Sequence, residues 1–342
     1  MVTLNVELEI VKQLFSTLSD DDKKSFLKSI KSKEKSKQDF TFAKEIKECP
    51  HCKSMHFKKN GTRSNGKQSF LCLDCNKSFV TSNNTILYGT KKDLSVWQKY
   101  IHCMIEKYSL RKTAEICNIS LPTAFAWRHK ILDALQEMMN EVELNGVVQA
   151  DETFMPISFK GNHKNFNLPR LAKQRGTANT KRGLSKELVC IPCRVNLDGL
   201  SIAKISNLGK PNLMALQKVL NGKISKDSVF VTDSFRAYLR LSNDMELNHI
   251  RIPRNKHSNG CSFNIQTMNS YRSILKAMLI YTFKGVATKY LNNYLTYHNF
   301  VNFAKNTKQD KEEILFNHII NTNCISKSIN IANRASVPLL VA

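Results

Sequence analysis

Apolar residues return at helical spacing near the start of the chain, at Leu8, Val11, Leu14, Phe15 and Leu18. Ser19-Asp20 then offers an N-cap for a second short helix through Lys23, Lys24, Phe26 and Leu27. The run from Lys31 to Lys37 is charged and aperiodic, so it reads as a solvated linker closing a first unit over 1–45. Paired cysteines and turn signals fill 46–85, and residues 90–140 return to a helical period. From Gly146 the pattern changes. Apolar runs at 147–157, 188–195, 201–205 and 229–232 predict strands, and helical periods follow over 211–220, 234–242, 263–282 and 285–297. The expectation is a multidomain chain of α+β and α/β type, with the largest domain over 145–305. A Lys/Arg- and Asn-rich stretch at 161–186 interrupts the strands and predicts a mobile basic loop. Residues 306–342 carry no readable pattern and are expected to form a tail.

Composition narrows the partners. The 342 residues are 42% hydrophobic and 23% charged, enough apolar material for packed cores. A net charge of +24 exceeds what solubility requires and points to a polyanion, with nucleic acid ahead of an anionic membrane surface. No apolar run reaches the roughly 18–20 residues of a spanning helix, and the N-terminus lacks the grammar of a secretory signal. A cytoplasmic, nucleoid-associated protein without a membrane partner is therefore expected. In such a reducing compartment the ten cysteines should be thiols or metal ligands.

Their spacing separates the two roles. Cys49-Pro50-His51-Cys52 and Cys72-Leu73-Asp74-Cys75 form two CxxC pairs, each able to aim two thiolates at one ion, with Asn60-Gly61 and Asn65-Gly66 as turns between short strands. This predicts a structural zinc (Zn²⁺) ribbon in which Cys49, Cys52, Cys72 and Cys75 leave no open coordination position. Cys190 and Cys193 also read CxxC, but they sit in an apolar strand with no second pair and are expected as core thiols.

The next segment has helix-turn-helix grammar. Ser109 to Cys117 reads as a first helix with Ala114 turned to a partner, Asn118 as the turn, and Ser120 as the cap of a second helix through Leu132. On that second helix Thr123, Trp127, Arg128 and Lys130 are expected at DNA, while a plain packed pair with Trp127 as an apolar anchor is the competing reading.

Two predicted strands end in carboxylates, Val147 to Asp151 and Ser228 to Asp233. Aspartates held close on rigid strands repel one another unless cations fill the gap, which suits a two-metal site for phosphoryl transfer. Alternatively each aspartate caps the turn or helix that follows it, as Asp233 is placed to do.

The third element comes from a resemblance. Gln-Ala-Asp-Glu-Thr at 149–153, Thr-Asp-Ser at 232–234, Asn-Ser-Tyr-x-Ser-x-Leu-Lys at 269–276 and Phe-Lys-Gly-Val-Ala-Thr-Lys-Tyr-Leu-Asn-Asn-Tyr-Leu at 283–295 resemble the ISXO-like insertion-sequence transposases of the DDE superfamily. The resemblance covers about residues 46–305. It implies an RNase H-like, integrase-type catalytic domain behind the zinc ribbon, in a bacterial-type cell. It also implies that Asp151, Asp233 and Asn269 bind Mg²⁺ or Mn²⁺ and that Lys276 is the basic residue after them. The superfamily's usual third residue is Glu, and no Asp or Glu occurs from Leu247 to Gln309, so no local carboxylate replaces it. Asn offers a neutral and weaker oxygen to a hard cation. Asn269 and Lys276 lie two turns apart on one helix face, which Arg272 and Gln266 share; Arg272 is a further candidate for DNA contact. Glu152 is a candidate spare ligand, although neighbouring strand residues face opposite ways.

The implied reaction is in-line cleavage by water at an element end, followed by attack of the freed 3′-hydroxyl on target DNA. Its partners are the terminal inverted repeats, target double-stranded DNA and further copies of the chain assembled on DNA. Two rivals remain open in the sequence: a non-catalytic DNA-binding protein, and a nuclease of similar fold that does not join strands.

Overall fold

A computed structural model describes residues 19, 21–24, 46–64, 66–161, 180–253, 256, 258–260, 262–302 and 306–339. The predicted helix over 5–18, the linker at Lys31 to Lys37 and most of the basic loop at 161–186 lie outside these residues. Residues 21–24 are helical, and the Ser19 hydroxyl accepts the Asp22 amide at 3.2 Å, as an N-cap does.

The remainder begins with a small antiparallel sheet of β1 (Phe57–Thr62), β2 (Gln68–Cys72) and β3 (Ser78–Val80). Its apolar content is slight: Phe57, Phe70 and Phe79 pack together with ring centroids 5.6–5.9 Å apart, beside buried Cys49 and Cys72.

Three helices follow, α1 (Leu94–Ile105), α2 (Leu110–Ile116) and α3 (Leu121–Asn140). Ser109 caps α2 by accepting the Lys112 amide at 3.3 Å, and Ser120 caps α3 by accepting the Thr123 amide at 3.3 Å. Asn118 supplies the turn between them with φ of 47°, a left-handed conformation that Asn tolerates. Trp127 of α3 stacks on Trp97 of α1 at 3.7 Å, and Ala114 is buried, as its predicted partner-facing position requires.

The central sheet has the order β6-β5-β4-β8-β9, from β4 (Val147–Pro156), β5 (Leu188–Asn196), β6 (Ser201–Ala203), β8 (Val229–Thr232) and β9 (Asn248–Arg251), with β7 (Asn207–Leu208) paired to β5. The first three strands are antiparallel to their neighbours, whereas β8 runs parallel to β4 and β9 parallel to β8. Strand β9, Asn-His-Ile-Arg, lacks apolar alternation and left no signal in the sequence.

Alternation along β4 divides its side chains between two helical layers. Val148 and Ala150 pack with Leu216 and Leu220 of α4 (Leu213–Leu220) and with Tyr238 and Leu241 of α5 (Arg236–Asp244). Gln149 and Asp151 face α6 (Gln266–Ala277). Helix α6 is extended by a π-helical turn, Met278–Thr282, so the single helix expected over 263–282 is two kinds of helix. The helix expected over 285–297 is a 3₁₀ turn at Thr288–Tyr290 continuing into α7 (Leu291–Val301), which packs on α3. Cys190 and Cys193 are fully buried core thiols, with burial pushing both up to about 12.

The segment expected to be a tail is helical: α8 (Lys308–Asn321) packs on α1 and α3, and α9 (Ser328–Ala332) packs on α3. Thr307 and Asp310 form a capping box at the start of α8, and Leu315, Phe316, Ile319 and Ile320 are buried. The Asp133 carboxylate on α3 accepts hydrogen bonds from Asn293 at 2.8 Å, Ser326 at 2.5 Å and Arg334 at 2.5 Å, so one half-buried acid ties α3 to α7 and to both flanks of α9. Among the described residues no helix is long and apolar enough to cross a membrane.

Because Trp127 fills the junction of α1 and α3, Trp127→Ala should cost roughly 3–5 kcal/mol of stability in urea titrations. A loss below about 1 kcal/mol would contradict a packing role for that ring.

Candidate active site

The cysteine cluster is built by two matching turns. After each CxxC pair the chain turns through a left-handed residue, Lys53 with φ of 65° and Asn76 with φ of 54°. In each turn the first cysteine's amide donates to a carbonyl five residues on, Cys49 to Ser54 at 2.8 Å and Cys72 to Lys77 at 3.1 Å. The four sulfurs come within 4.8 Å of one another. They do not share negative charge equally. Backbone amides of Cys75 and Asp74 help to pull the Cys72 thiol down to about 6. Cys52 rises to about 12 despite an amide from Ser54, because desolvation and the sulfurs of Cys72, Cys75 and Cys49 disfavour a second thiolate. Several thiolates in so small a volume demand a cation, and four sulfurs in this array suit tetrahedral zinc.

The acidic centre follows from strand register. Ala150 pairs with Thr232 across the parallel β4–β8 ladder, so Asp151, midway along β4, comes beside Asp233, the residue that follows β8. Asp233 Oδ1 accepts the Phe235 amide at 3.0 Å, which is the turn-capping role the sequence allowed. It leaves Oδ2 of Asp233 outside that bond. Asp151 Oδ1 accepts the Glu152 amide at 2.7 Å, and Oδ2 receives the guanidinium of Arg272 from α6. Burial pushes the Asp151 carboxyl above its usual range, Arg272 opposes that rise, and the charge of Asp233 adds to it.

Helix α6 presents one stripe to this centre. Arg272 fixes which face that is, and Asn269 and Lys276, three positions before it and four after, are half-buried on the same stripe. Gln149, two residues before Asp151 and on the same side of β4, anchors the start of the helix by accepting the Met268 amide at 2.9 Å. Its positioning role was missed in the sequence, where only its alternation with Asp151 marked it. Arg251 was missed as well: from β9 it donates to the Ser234 carbonyl at 3.0 Å, beside Asp233. Two carboxylates on adjacent strands that already draw in a guanidinium form a donor set that fits a divalent cation.

Glu152 takes no part in that set. It faces the α4–α5 layer, is 8% exposed, and has an Oε1 with no partner among the described residues. Burial and the charge of Asp151 lift its carboxyl to about 7.

The second helix of the front end distributes its expected DNA residues unevenly. Thr123 and Lys130 are half-buried. Trp127 and Arg128 are instead buried, at 7% and 1% exposure. Trp127 is consumed by the stack on Trp97, and Arg128 by a hydrogen bond to the Tyr108 carbonyl at 2.9 Å, because both lie on the face of α3 turned toward its helical partners. Arg272 belongs to the acidic centre through its ion pair with Asp151.

A family model described as an ISXO2-like transposase domain matches residues 143–301. That segment is similar to an ISXO2-like transposase domain. It contains Asp151, Asp233, Asn269, Arg272 and Lys276, while the cysteine cluster and α1 to α3 precede it. Solved structures with some likeness include the Mos1 mariner paired end complex with Mn, at 10% identity and a TM-score of 0.24, covering 64% of this chain and 76% of that one. A pre-cleavage Mos1 transpososome matches at 10% identity and a TM-score of 0.23, covering 70% of this chain and 82% of that one. Likeness this faint carries no argument about the transposase domain. No curated protein matches the chain.

The sulfur array ahead of that segment should bind one zinc ion per chain. Chelation is expected to release it and to unfold the three-stranded sheet, whose own apolar core is three phenylalanines. Metal analysis together with amide exchange across residues 46–85 checks this; an undisturbed sheet after complete metal removal would count against a structural zinc.

Proposed function

We propose that this chain is the DNA transposase of an insertion sequence, cutting and joining strands at the element's terminal inverted repeats. The observation that carries the reading is the parallel register that sets Asp151 beside Asp233 within a transposase-family segment. The sheet order, three antiparallel strands extended by two parallel ones with helices on both faces, supports an RNase H-like catalytic domain over 145–305. The sulfur array supports a zinc ribbon over 46–85. The capped helices α2 and α3 with the turn at Asn118 support a helix-turn-helix within 90–140. Residues 1–45 are a unit apart from the rest, and α8 and α9 of the segment 306–342 close against the front-end helices.

In this reading Asp151 and Asp233 hold Mg²⁺ or Mn²⁺ with help from the amide oxygen of Asn269. When bound, the metal supplies charge neutralisation and Lewis-acid activation for in-line displacement at phosphorus. The protein's part is positional. Gln149 locks α6 against β4, so Asn269 and Lys276 are delivered from a rigid helix; Lys276 meets a phosphate next to the scissile bond. Arg272 neutralises Asp151, and its guanidinium is of a kind that would also pair with a DNA phosphate at this site. Thr123 and Lys130 on α3, and the basic stretch 159–186, contact the DNA backbone, and two copies of the chain pair two element ends in the bacterial cytoplasm.

The test is strand cleavage and joining on a labelled element-end duplex with Mg²⁺ or Mn²⁺. Asp151→Asn and Asp233→Asn should each lower both steps by roughly two orders of magnitude or more while leaving duplex binding intact. If the intact protein binds authentic ends but neither cuts nor joins them, the chain is a DNA-binding protein without catalysis and the proposal fails.

A further inference from the structure

A cavity of about 1320 Å³ lies between the starts of α2 and α3, the segment 282–290 and α9. Among the described residues six cations line it, Arg111, Arg128, Lys160, Lys284, Lys289 and Arg334, and no Asp or Glu side chain does. Its apolar wall is aromatic. Phe125 and Tyr290 meet edge to face at 5.5 Å, and the His129 ring lies 4.5 Å from the first and 4.3 Å from the second.

Several polar atoms of the lining lack a hydrogen-bond partner among the described residues. His129 is 1% exposed, yet neither ring nitrogen has a hydrogen-bond partner among the described residues. Burial and the nearby charges of Arg334, Arg128 and Lys289 push it down to about 3, so its ring is neutral, with one nitrogen donating and the other accepting. Arg128 beside it spends Nη2 on Tyr108 and Thr113 and leaves Nε and Nη1 without a hydrogen-bond partner among the described residues. Buried polar atoms without partners are costly, so a ligand that satisfies them is favoured.

The lining defines that ligand. Absence of carboxylates and a ring of cations select an anion; aromatic faces select a flat π-system; a neutral donor–acceptor pair at the floor selects a group with both functions on one edge. A nucleotide has all three. A base stacked inside a duplex cannot enter a cavity, so the nucleotide must be unpaired. Building on the transposase reading, we propose that this cavity receives an unpaired nucleotide of the DNA strand, its base against Phe125 and Tyr290, its edge toward His129 and its phosphates toward Arg111 and Lys284.

The test uses the full-length, zinc-loaded protein without divalent catalytic metal. Fluorescence anisotropy compares a blunt duplex with the same duplex carrying a short single-stranded extension that contains 2-aminopurine. The extension should tighten binding about tenfold, the scale of one stacked base, and quench the 2-aminopurine. Phe125→Leu and Lys284→Ala should each remove that gain while blunt-duplex affinity and melting temperature hold; Lys284 is exposed, so its variant guards against misfolding. The proposal is overturned if the extension adds nothing, if the gain survives in both variants, or if thymidine monophosphate competes as well as the strand does, since that would mark a free-nucleotide site. Both readouts are independent of catalysis. An extension-dependent gain in a protein that never cuts DNA would support the cavity assignment and sink the transposase reading alone.

Discussion

Two carboxylates side by side on neighbouring parallel strands cannot share a part-buried space without compensation. Asp151 and Asp233 are held in that arrangement by the β4–β8 ladder, which is backed by the layer of α4 and α5. The surroundings answer the charge piece by piece. A backbone amide is aimed at one oxygen of each aspartate, and a guanidinium is drawn from α6 onto Asp151. The helix that brings it is itself fixed by Gln149, from the same strand as Asp151. Strand, helix and ion pair therefore form one mechanical unit.

Elsewhere the chain is sparing with acid and generous with base. With 52 Lys and Arg against 28 Asp and Glu, few cations can be neutralised inside the protein. The half-buried Asp133 does structural work, joining α3, α7 and the C-terminal helices. Where acids are missing, as along the cavity above α2 and α3, the positive field is left for a ligand.

Much of this was legible in the sequence wherever local chemistry dictates the outcome. The CxxC spacing, the serine caps at Ser109 and Ser120, the turn at Asn118 and four strands of the central sheet all declare themselves through short-range patterns. What stayed hidden depends on packing between distant segments. The amphipathic period of α3 does not reveal which polar residues its partners will cover, so Trp127 and Arg128 were assigned to DNA when they belong to the core. Strand β9 owes its place to pairing with β8 rather than to its own polar residues. Arg272 was legible as a basic residue on the right helix face, but its pairing with Asp151 is a tertiary fact. Helices α8 and α9 were invisible because their apolar residues are thinly spread and find meaning only against α1 and α3.

That last arrangement has a consequence for the newborn chain. Helices α1 and α3 leave the ribosome well before α8, which comes after the whole transposase domain, and until it arrives their outer apolar surface and Asp133 stay uncovered. The contacts that close the front-end helices span most of the polypeptide, so their final assembly waits on the last part of translation rather than proceeding domain by domain. A message cut short after α7 would yield a protein that carries Asp151, Asp233 and α6 but has an unfinished, sticky front end.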